Sequence, residues 1–218
     1  GELWLGHLRY GTFGKNSIEN CAPSLRQNNW KSKNLILAGN FNMTNLDDLF
    51  DVLIDLGQSP KEKSDTVTIL EKIGHFLDEE NKKIYNNYSD KLSKKEISNK
   101  IEEEINLLNV LKNSFKDFDG GYALSGLVGH GSSFIARDPS GIRPLYYYSN
   151  DEIIVAASER PPIKTAFGCE FSEIKEVDPG HSLIINKDGN YFIEKFVEPK
   201  EKKSCSFERI YFSRGNDP

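Results

Sequence analysis

The sequence is poor in cysteine, in methionine and in long apolar runs. Its 218 residues include three cysteines, one methionine and two tryptophans. Cys21, Cys169 and Cys205 are odd in number and far apart, which argues against a disulfide framework, and no Cys-x-x-Cys pair indicates a zinc or redox site. No segment approaches the roughly 20 apolar residues that a membrane span needs. We therefore expect a protein of the reducing cytoplasm with no membrane partner.

An excess of basic residues is absent as well. Lysine and arginine total 28 against 33 aspartates and glutamates, which gives a formal net charge of −5. A protein that binds nucleic acid through electrostatics needs a basic face, so we expect no nucleic-acid partner. Apolar residues make up 37% of the chain, enough for a folded core. The length allows one large domain, or one domain with part of another.

The periodicity of apolar residues predicts strands, then helices, then many strands. Strand-like runs cover Leu3–Arg9 and Asn34–Ala38, and helices are expected after Asn45 and from Ser64 or Asp65. Residues 78–116 are rich in charge and predict a helical insertion, with a capping box in Ser93–Glu96. From Gly121 onward short aromatic and β-branched runs predict antiparallel hairpins, so the fold class is α+β. These strands are expected at Tyr122–Val128, Ser133–Arg137, Leu145–Tyr148, Ile153–Ala157, Ser182–Ile185 and Tyr191–Val197.

Three polar segments could carry chemistry, although each also has an ordinary structural interpretation. Arg9 and Thr12 follow an apolar run, where an arginine is suited to grip a carboxylate or is simply a surface residue. Asn40 and Phe41 follow a second apolar run, where an Asn amide beside a backbone N–H can form an oxyanion hole or a plain turn. Asp65 stands at a helix start, as a ligand or as part of a cap.

Seven short segments follow one another along the chain: HLRYGT (7–12), NFNMTN (40–45), SD (64–65), RDPSGIRPL (137–145), ASE (157–159), DPG (178–180) and FERIYFSR (207–214). In this order they resemble the class II glutamine amidotransferase domain, an N-terminal-nucleophile hydrolase, in the form found in amidophosphoribosyltransferases. The resemblance covers essentially the whole chain and is nearest to the form found in Bacteroidetes-type bacteria. It implies an αββα sandwich of antiparallel sheets, incomplete here, to which the helical insertion at about 78–116 is added.

The resemblance also implies roles for individual residues. Arg9 would hold the α-carboxylate of glutamine with Thr12 in the same pocket, and Asp65 would pair with the α-ammonium. The Asn40 side chain and the Phe41 backbone N–H would stabilise the oxyanion. The family usually has glycine where this chain has Phe41, so the ring must find room and the backbone must avoid positive φ. No metal site is expected in this chain.

The family's nucleophile is an N-terminal cysteine, and no cysteine lies near Gly1. Since the single methionine is Met43, we interpret the chain as an internal piece: residues 1–198 as the glutaminase domain without its nucleophile, and 199–218 as a linker and the start of a phosphoribosyltransferase domain. The complete enzyme would make 5-phosphoribosylamine from phosphoribosyl pyrophosphate in purine synthesis, with Mg²⁺ in the transferase domain and as a homo-oligomer. The alternatives are the glutaminase domain of an asparagine synthetase or glucosamine-6-phosphate synthase type, or a non-catalytic regulatory domain of this fold.

Overall fold

The structure is a computed structural model that describes residues 2–8, 21–208 and 210. Across these residues the chain forms nine β-strands and five α-helices. The strands are β1 (Ser24–Arg26), β2 (Leu35–Met43), β3 (Gly120–Val128), β4 (Ser133–Arg137), β5 (Tyr146–Ser149), β6 (Ile154–Ala157), β7 (Lys175–Glu176), β8 (His181–Ile185) and β9 (Tyr191–Lys195). The helices are α1 (Leu46–Asp55), α2 (Asp65–Tyr88), α3 (Lys94–Glu104), α4 (Leu107–Ser114) and α5 (Arg160–Phe167).

The strands form two antiparallel sheets. The larger sheet has six strands in the order β1-β2-β3-β4-β8-β9, and the smaller has three in the order β6-β5-β7. All neighbouring strands pair antiparallel, as the hairpin signals predict. The Asp188-Gly189 turn joins β8 to β9, and Gly189 takes a φ of +88°.

The sheets and helices stack in four layers. Helices α2 and α4 pack on one face of the large sheet around the main core. The other face of that sheet packs on the small sheet, through Ala123, Ile135 and Leu183 on one side and Leu145, Tyr147 and Val177 on the other. Helix α5 covers the outer face of the small sheet. The layers therefore run α, β, β, α, which confirms the predicted sandwich.

Strand β3 lies in the middle of this stack and is apolar on both faces. Tyr122, Leu124 and Val128 face the helices, whereas Ala123 faces the small sheet. Because both faces are covered, the strand reads as a nearly continuous apolar run and not as an alternating one. Within the described part of the chain, no helix is long and apolar enough to cross a membrane.

The helical predictions are confirmed where local signals exist. Asn45 is the N-cap of α1, and the Ser64 hydroxyl caps α2 by accepting the Val67 N–H at 3.4 Å. The capping box at Ser93 and Glu96 forms at the start of α3. Helix α2 runs without a break from Asp65 to Tyr88, so residue 78 lies inside a helix.

Three elements differ from the predictions. The strand predicted at Leu3–Arg9 is wrong for its described part, because residues 2–8 form no strand and Leu8 is fully exposed. The short strands β1 and β7 were not predicted, because a strand of two or three residues is too short to show an alternating apolar pattern. Helix α5 was missed because two prolines directly follow its first residue, Arg160, in a position that the first turn of a helix tolerates.

Candidate functional site

Asn40 and Phe41 lie within strand β2 and not in a turn. They pair with Ala123 and Tyr122 of β3, and the pairing continues to Met43. The turn interpretation was therefore wrong, and Gly39 has a different purpose. A Cβ at Gly39 would lie 2.6 Å from the Ala123 carbonyl oxygen and 2.8 Å from the Leu124 Cβ. Glycine allows the two strands to approach closely just before the candidate oxyanion residues.

The Phe41 N–H points away from β3. Its partner Tyr122 donates its N–H to the Asp138 carboxylate at 3.4 Å and accepts the Asp138 N–H at 2.8 Å. The N–H and C=O of one strand residue point to the same side, so Tyr122 bonds on the β4 side and pairs with Phe41 without hydrogen bonds. Phe41 must then direct its N–H to the outer edge of β2. In the described chain, β1 covers that edge only at 35–37.

Asp65 lies on this same edge. Met43 is two residues beyond Phe41, points its N–H the same way, and donates it to Asp65 Oδ2 at 3.2 Å. Two residues of extended strand span about 7 Å. The Asp65 carboxylate, bound at the Met43 N–H, therefore lies on the same strand edge, about two strand residues from the Phe41 N–H.

The environment of Asp65 disfavours its charge. Partial burial raises the pKa of its carboxyl group above the ordinary aspartate value, and the hydrogen bond from the Met43 N–H opposes this rise. No cation among the described residues contributes to lowering the pKa. A ligand ammonium would supply the missing positive charge.

The Asn40 side chain points to the opposite face of β2 from the Phe41 ring. It shares the face of Ala123, which is directed toward the small sheet. Its Nδ2 donates to Glu208 Oε1 at 3.2 Å. Glu208 also accepts a hydrogen bond from the Arg143 guanidinium. Residues distant in sequence therefore meet at the Asn40 amide.

The loop at 138–143 holds the backbone of Arg143 in a fixed position. The buried Asp138 carboxylate accepts four backbone N–H bonds, from Tyr122 at 3.4 Å, Ser140 at 3.0 Å, Ile142 at 2.9 Å and Arg143 at 3.0 Å. The Arg137 guanidinium donates to the backbone carbonyl of Arg143 at 2.8 Å. Both backbone polar groups of Arg143 are thereby fixed.

The Phe41 ring is accommodated beside the main core. It packs against the main core on the helix side of the large sheet. Among the described residues, only glycines have positive φ. A backbone N–H can therefore be presented here with phenylalanine in place of the family's glycine.

The structure places Asn40 and Phe41 next to each other on β2 and brings Asp65, the first residue of α2, to the edge of the same strand at Met43. Arg9 and Thr12 lie outside the described residues. Arg143 and Glu208 were not predicted as site residues, although both stand in segments that carry the resemblance. The sequence signal that could have identified them is that each is a charged residue within one of those segments.

Comparisons with known proteins show what this chain is similar to. A family profile described as a glutamine amidotransferase domain matches residues 79–165. The chain is 30% identical to the amidophosphoribosyltransferase of Archaeoglobus fulgidus, over 98% of this chain and 40% of that protein. It is also 30% identical to the amidophosphoribosyltransferase of Bacillus subtilis, over 98% of this chain and 38% of that protein. The chain thus spans about two fifths of the length of these curated relatives.

Two solved structures share the fold. One is described as glutamine phosphoribosylpyrophosphate amidotransferase from B. subtilis complexed with ADP and GMP, with a TM-score of 0.69 and 29% identity over 97% of this chain and 39% of that chain. The other is described as the allosteric regulatory enzyme of purine biosynthesis, with a TM-score of 0.71 and 30% identity over the same shares. Residues 79–165 therefore match a glutamine amidotransferase domain, and the chain shares the N-terminal-nucleophile hydrolase fold of the glutaminase part of solved amidophosphoribosyltransferases.

Proposed function

We propose that this chain binds glutamine along the outer edge of β2, as the glutaminase part of an amidophosphoribosyltransferase. The observation that carries the proposal is the shared direction of the Phe41 and Met43 N–H groups, the second of which holds the Asp65 carboxylate. One end of the site offers a hydrogen-bond donor and the other end offers a negative charge. Glutamine has the matching groups, an amide oxygen and an α-ammonium.

In the proposed reaction a cysteine thiolate attacks the side-chain amide carbon of glutamine. The amide oxygen becomes an oxyanion, which the Phe41 N–H and the Asn40 Nδ2–H stabilise. Collapse of this intermediate, with a proton delivered to nitrogen, releases ammonia, and water then hydrolyses the thioester to glutamate. Each oxyanion donor contributes about 2.7–4 kcal/mol of transition-state stabilisation in such sites. Arg9, Thr12 and Asp65 would hold the amino-acid end of glutamine.

None of the three cysteines of this chain suits the role of nucleophile. Cys169 is buried in the cluster around α5, in the layer furthest from α2, whereas Cys21 and Cys205 are not N-terminal residues. An N-terminal nucleophile uses its own α-amine as general base. We therefore propose that the 218-residue chain by itself binds glutamine weakly at most and does not hydrolyse it.

The remaining parts of the proposal concern the whole enzyme. Ammonia would pass to phosphoribosyl pyrophosphate, with Mg²⁺ in a transferase domain, in a cytoplasmic homo-oligomer. The likeness to amidophosphoribosyltransferases over 98% of the chain supports this choice of acceptor. The segments 137–145 and 207–214 favour it over an asparagine synthetase or a glucosamine-6-phosphate synthase.

The test uses the complete protein that contains this chain. We expect glutamine-dependent release of pyrophosphate from phosphoribosyl pyrophosphate, together with glutamate formation. The 218-residue chain, measured in parallel, is expected to form no glutamate. Activity with aspartate and ATP, or with fructose 6-phosphate, in place of phosphoribosyl pyrophosphate would assign the chain to a different amidotransferase. Loss of all glutaminase activity in the complete protein would favour a regulatory domain.

A further inference from the structure

The Glu208 carboxylate connects two side chains that come from different parts of the fold. It accepts one hydrogen bond from the Asn40 amide at 3.2 Å and another from the Arg143 guanidinium. The Glu208 side chain is only 9% exposed and that of Arg143 is 21% exposed. A carboxylate that is this buried is stable only when it is paired. The contact is thus a largely buried ion pair and not a surface one.

The Arg143 end of this arrangement is rigid. Its backbone N–H binds the buried Asp138 carboxylate, and its carbonyl oxygen binds the Arg137 guanidinium. Arg137 is anchored in turn by the carbonyl oxygen of Val177 at 2.6 Å. The backbone of Arg143, from which its side chain extends, is therefore held in place by three other residues.

The Asn40 end has a chemical ambiguity that Glu208 resolves. An asparagine side chain can present either its oxygen or its NH₂ group, and only the NH₂ group can stabilise an oxyanion. A carboxylate accepts hydrogen bonds and cannot donate them, so it selects the orientation in which Nδ2 faces Glu208. One Nδ2–H is then used by Glu208, and the second Nδ2–H remains for a ligand.

Arg143 also removes an electrostatic cost. A single carboxylate beside a developing oxyanion would repel it. The Arg143 guanidinium neutralises Glu208, so the pair can orient the Asn40 amide without adding net charge to the site.

We propose that Glu208, supported by Arg143, is a positioning residue that fixes the Asn40 amide in the donor orientation needed for glutamine hydrolysis. This inference rests on the proposed function of Asn40 in the oxyanion hole. Glu208 itself touches Asn40 and acts on the reaction through it.

The experiment compares variants of the complete protein in glutamate release. We expect Glu208→Ala to lower kcat about 10-fold while KM for glutamine stays within about twofold, since the amide acts mainly in the transition state. Glu208→Gln keeps a hydrogen-bond acceptor for Nδ2 and is expected to recover part of kcat. Glu71→Ala is the matched control, because it removes the Glu71–Arg26 contact of 3.0 Å, a partly buried pair outside this site.

A second measurement separates positioning from a general structural effect. In the background of Asn40→Ala, Glu208→Ala should cause no further loss of kcat, because its target is already absent. An unchanged or raised kcat in Glu208→Ala, or the same loss in both backgrounds, would overturn the inference. A raised kcat would identify Glu208 as a blocking group. Absence of glutaminase activity in the unmodified complete protein would instead refute the proposed function.

Discussion

The backbone N–H of Met43 donates a hydrogen bond of 3.2 Å to the Asp65 carboxylate. This bond joins the first turn of α2 to the outer edge of β2, two residues from Phe41. The helix start and the strand edge therefore act as one unit. We therefore expect a substitution at either residue to disturb the geometry of the whole candidate site.

Replacing Asp65 with asparagine should weaken glutamine binding in the complete protein. The substitution keeps an oxygen for the Met43 N–H but removes the charge proposed to pair with the α-ammonium. We expect KM for glutamine to rise roughly 10- to 100-fold, the usual range for a lost charged hydrogen bond. Steady-state kinetics measure the effect. An unchanged KM would contradict the assignment of Asp65.

The same variant should change how stability depends on pH. The pKa of Asp65 is raised in the folded state, so its contribution to stability is present below the unfolded-state pKa and is lost as pH rises through the folded-state pKa. An asparagine side chain does not titrate, so this acid-side gain should be missing in Asp65→Asn. Urea unfolding at several pH values between 3.5 and 7, roughly the range above the usual aspartate pKa, measures it. Parallel pH profiles for both proteins would contradict the prediction.

Glutamine hydrolysis should be more sensitive to substitution of Asn40 than to substitution of Asn42, a similar side chain on β2. Asn40→Ala removes a proposed oxyanion donor, so we expect kcat for glutamine hydrolysis to fall about 100- to 1,000-fold in the complete protein. Asn42 is also exposed and lies two residues away on the same face of the strand, which makes Asn42→Ala the matched control. Equal losses in the two variants would show that the effect is not specific to the oxyanion hole.

Gly39 should tolerate no side chain. In Gly39→Ala the new methyl group would meet the backbone of β3 at 2.6 Å, so the strands must separate or shift. We expect a loss of about 1–3 kcal/mol in the free energy of unfolding, the usual cost of overpacking. Gly6→Ala is the control, because nothing lies within 4 Å of a Cβ at Gly6. Urea unfolding of the 218-residue chain compares the two. A stable Gly39→Ala would contradict the close approach.

His130 should make the fold sensitive to mild acid. Its ring is buried, contacts the Ser132 hydroxyl at 2.9 Å, and burial lowers its pKa to about 4. In the unfolded chain the pKa is about 6.5, so only the unfolded state gains a proton between these values. Stability should therefore fall by roughly 3 kcal/mol at most as pH drops through this window.

The control for this effect is His130→Gln, which does not titrate. Its free energy of unfolding should vary less than that of the original chain between about pH 7 and 5. Charges near the ring, on Glu102, Lys31 and Lys187, also influence the pKa of His130. Burial alone would raise the pKa of the Glu102 carboxyl group, but Lys187 and Lys31 hold it below the ordinary glutamate value, so this group stays charged between about pH 7 and 5. Equal slopes for the two proteins would contradict a buried neutral imidazole.

Local signals in the sequence were sufficient for part of the fold. The starts of α2 and α3 were predictable because the cap of a helix depends on residues three positions apart. The layer order followed from the resemblance and not from periodicity. The segment at Gly39–Asn42 was misread because glycine and asparagine favour turns, whereas Gly39 is needed for close contact with β3, some 80 residues away in sequence.

The site itself was only partly predictable. Asn40, Phe41 and Asp65 were identified by resemblance, but the direction of the Phe41 N–H depends on which residues of β2 and β3 exchange hydrogen bonds. That register cannot be read from either strand alone. The meeting of Arg143 with Glu208 joins residues 65 positions apart. No local pattern encodes such a contact.

The Asp138 carboxylate collects four backbone N–H groups, three from its own loop and one from Tyr122 in the central strand. None of these amides can exchange its hydrogen with solvent while the carboxylate holds it. We therefore expect the loop to open as one cooperative unit. In deuterated water, the amides of Ser140, Ile142 and Arg143 should exchange together and at a rate set by the departure of one side chain.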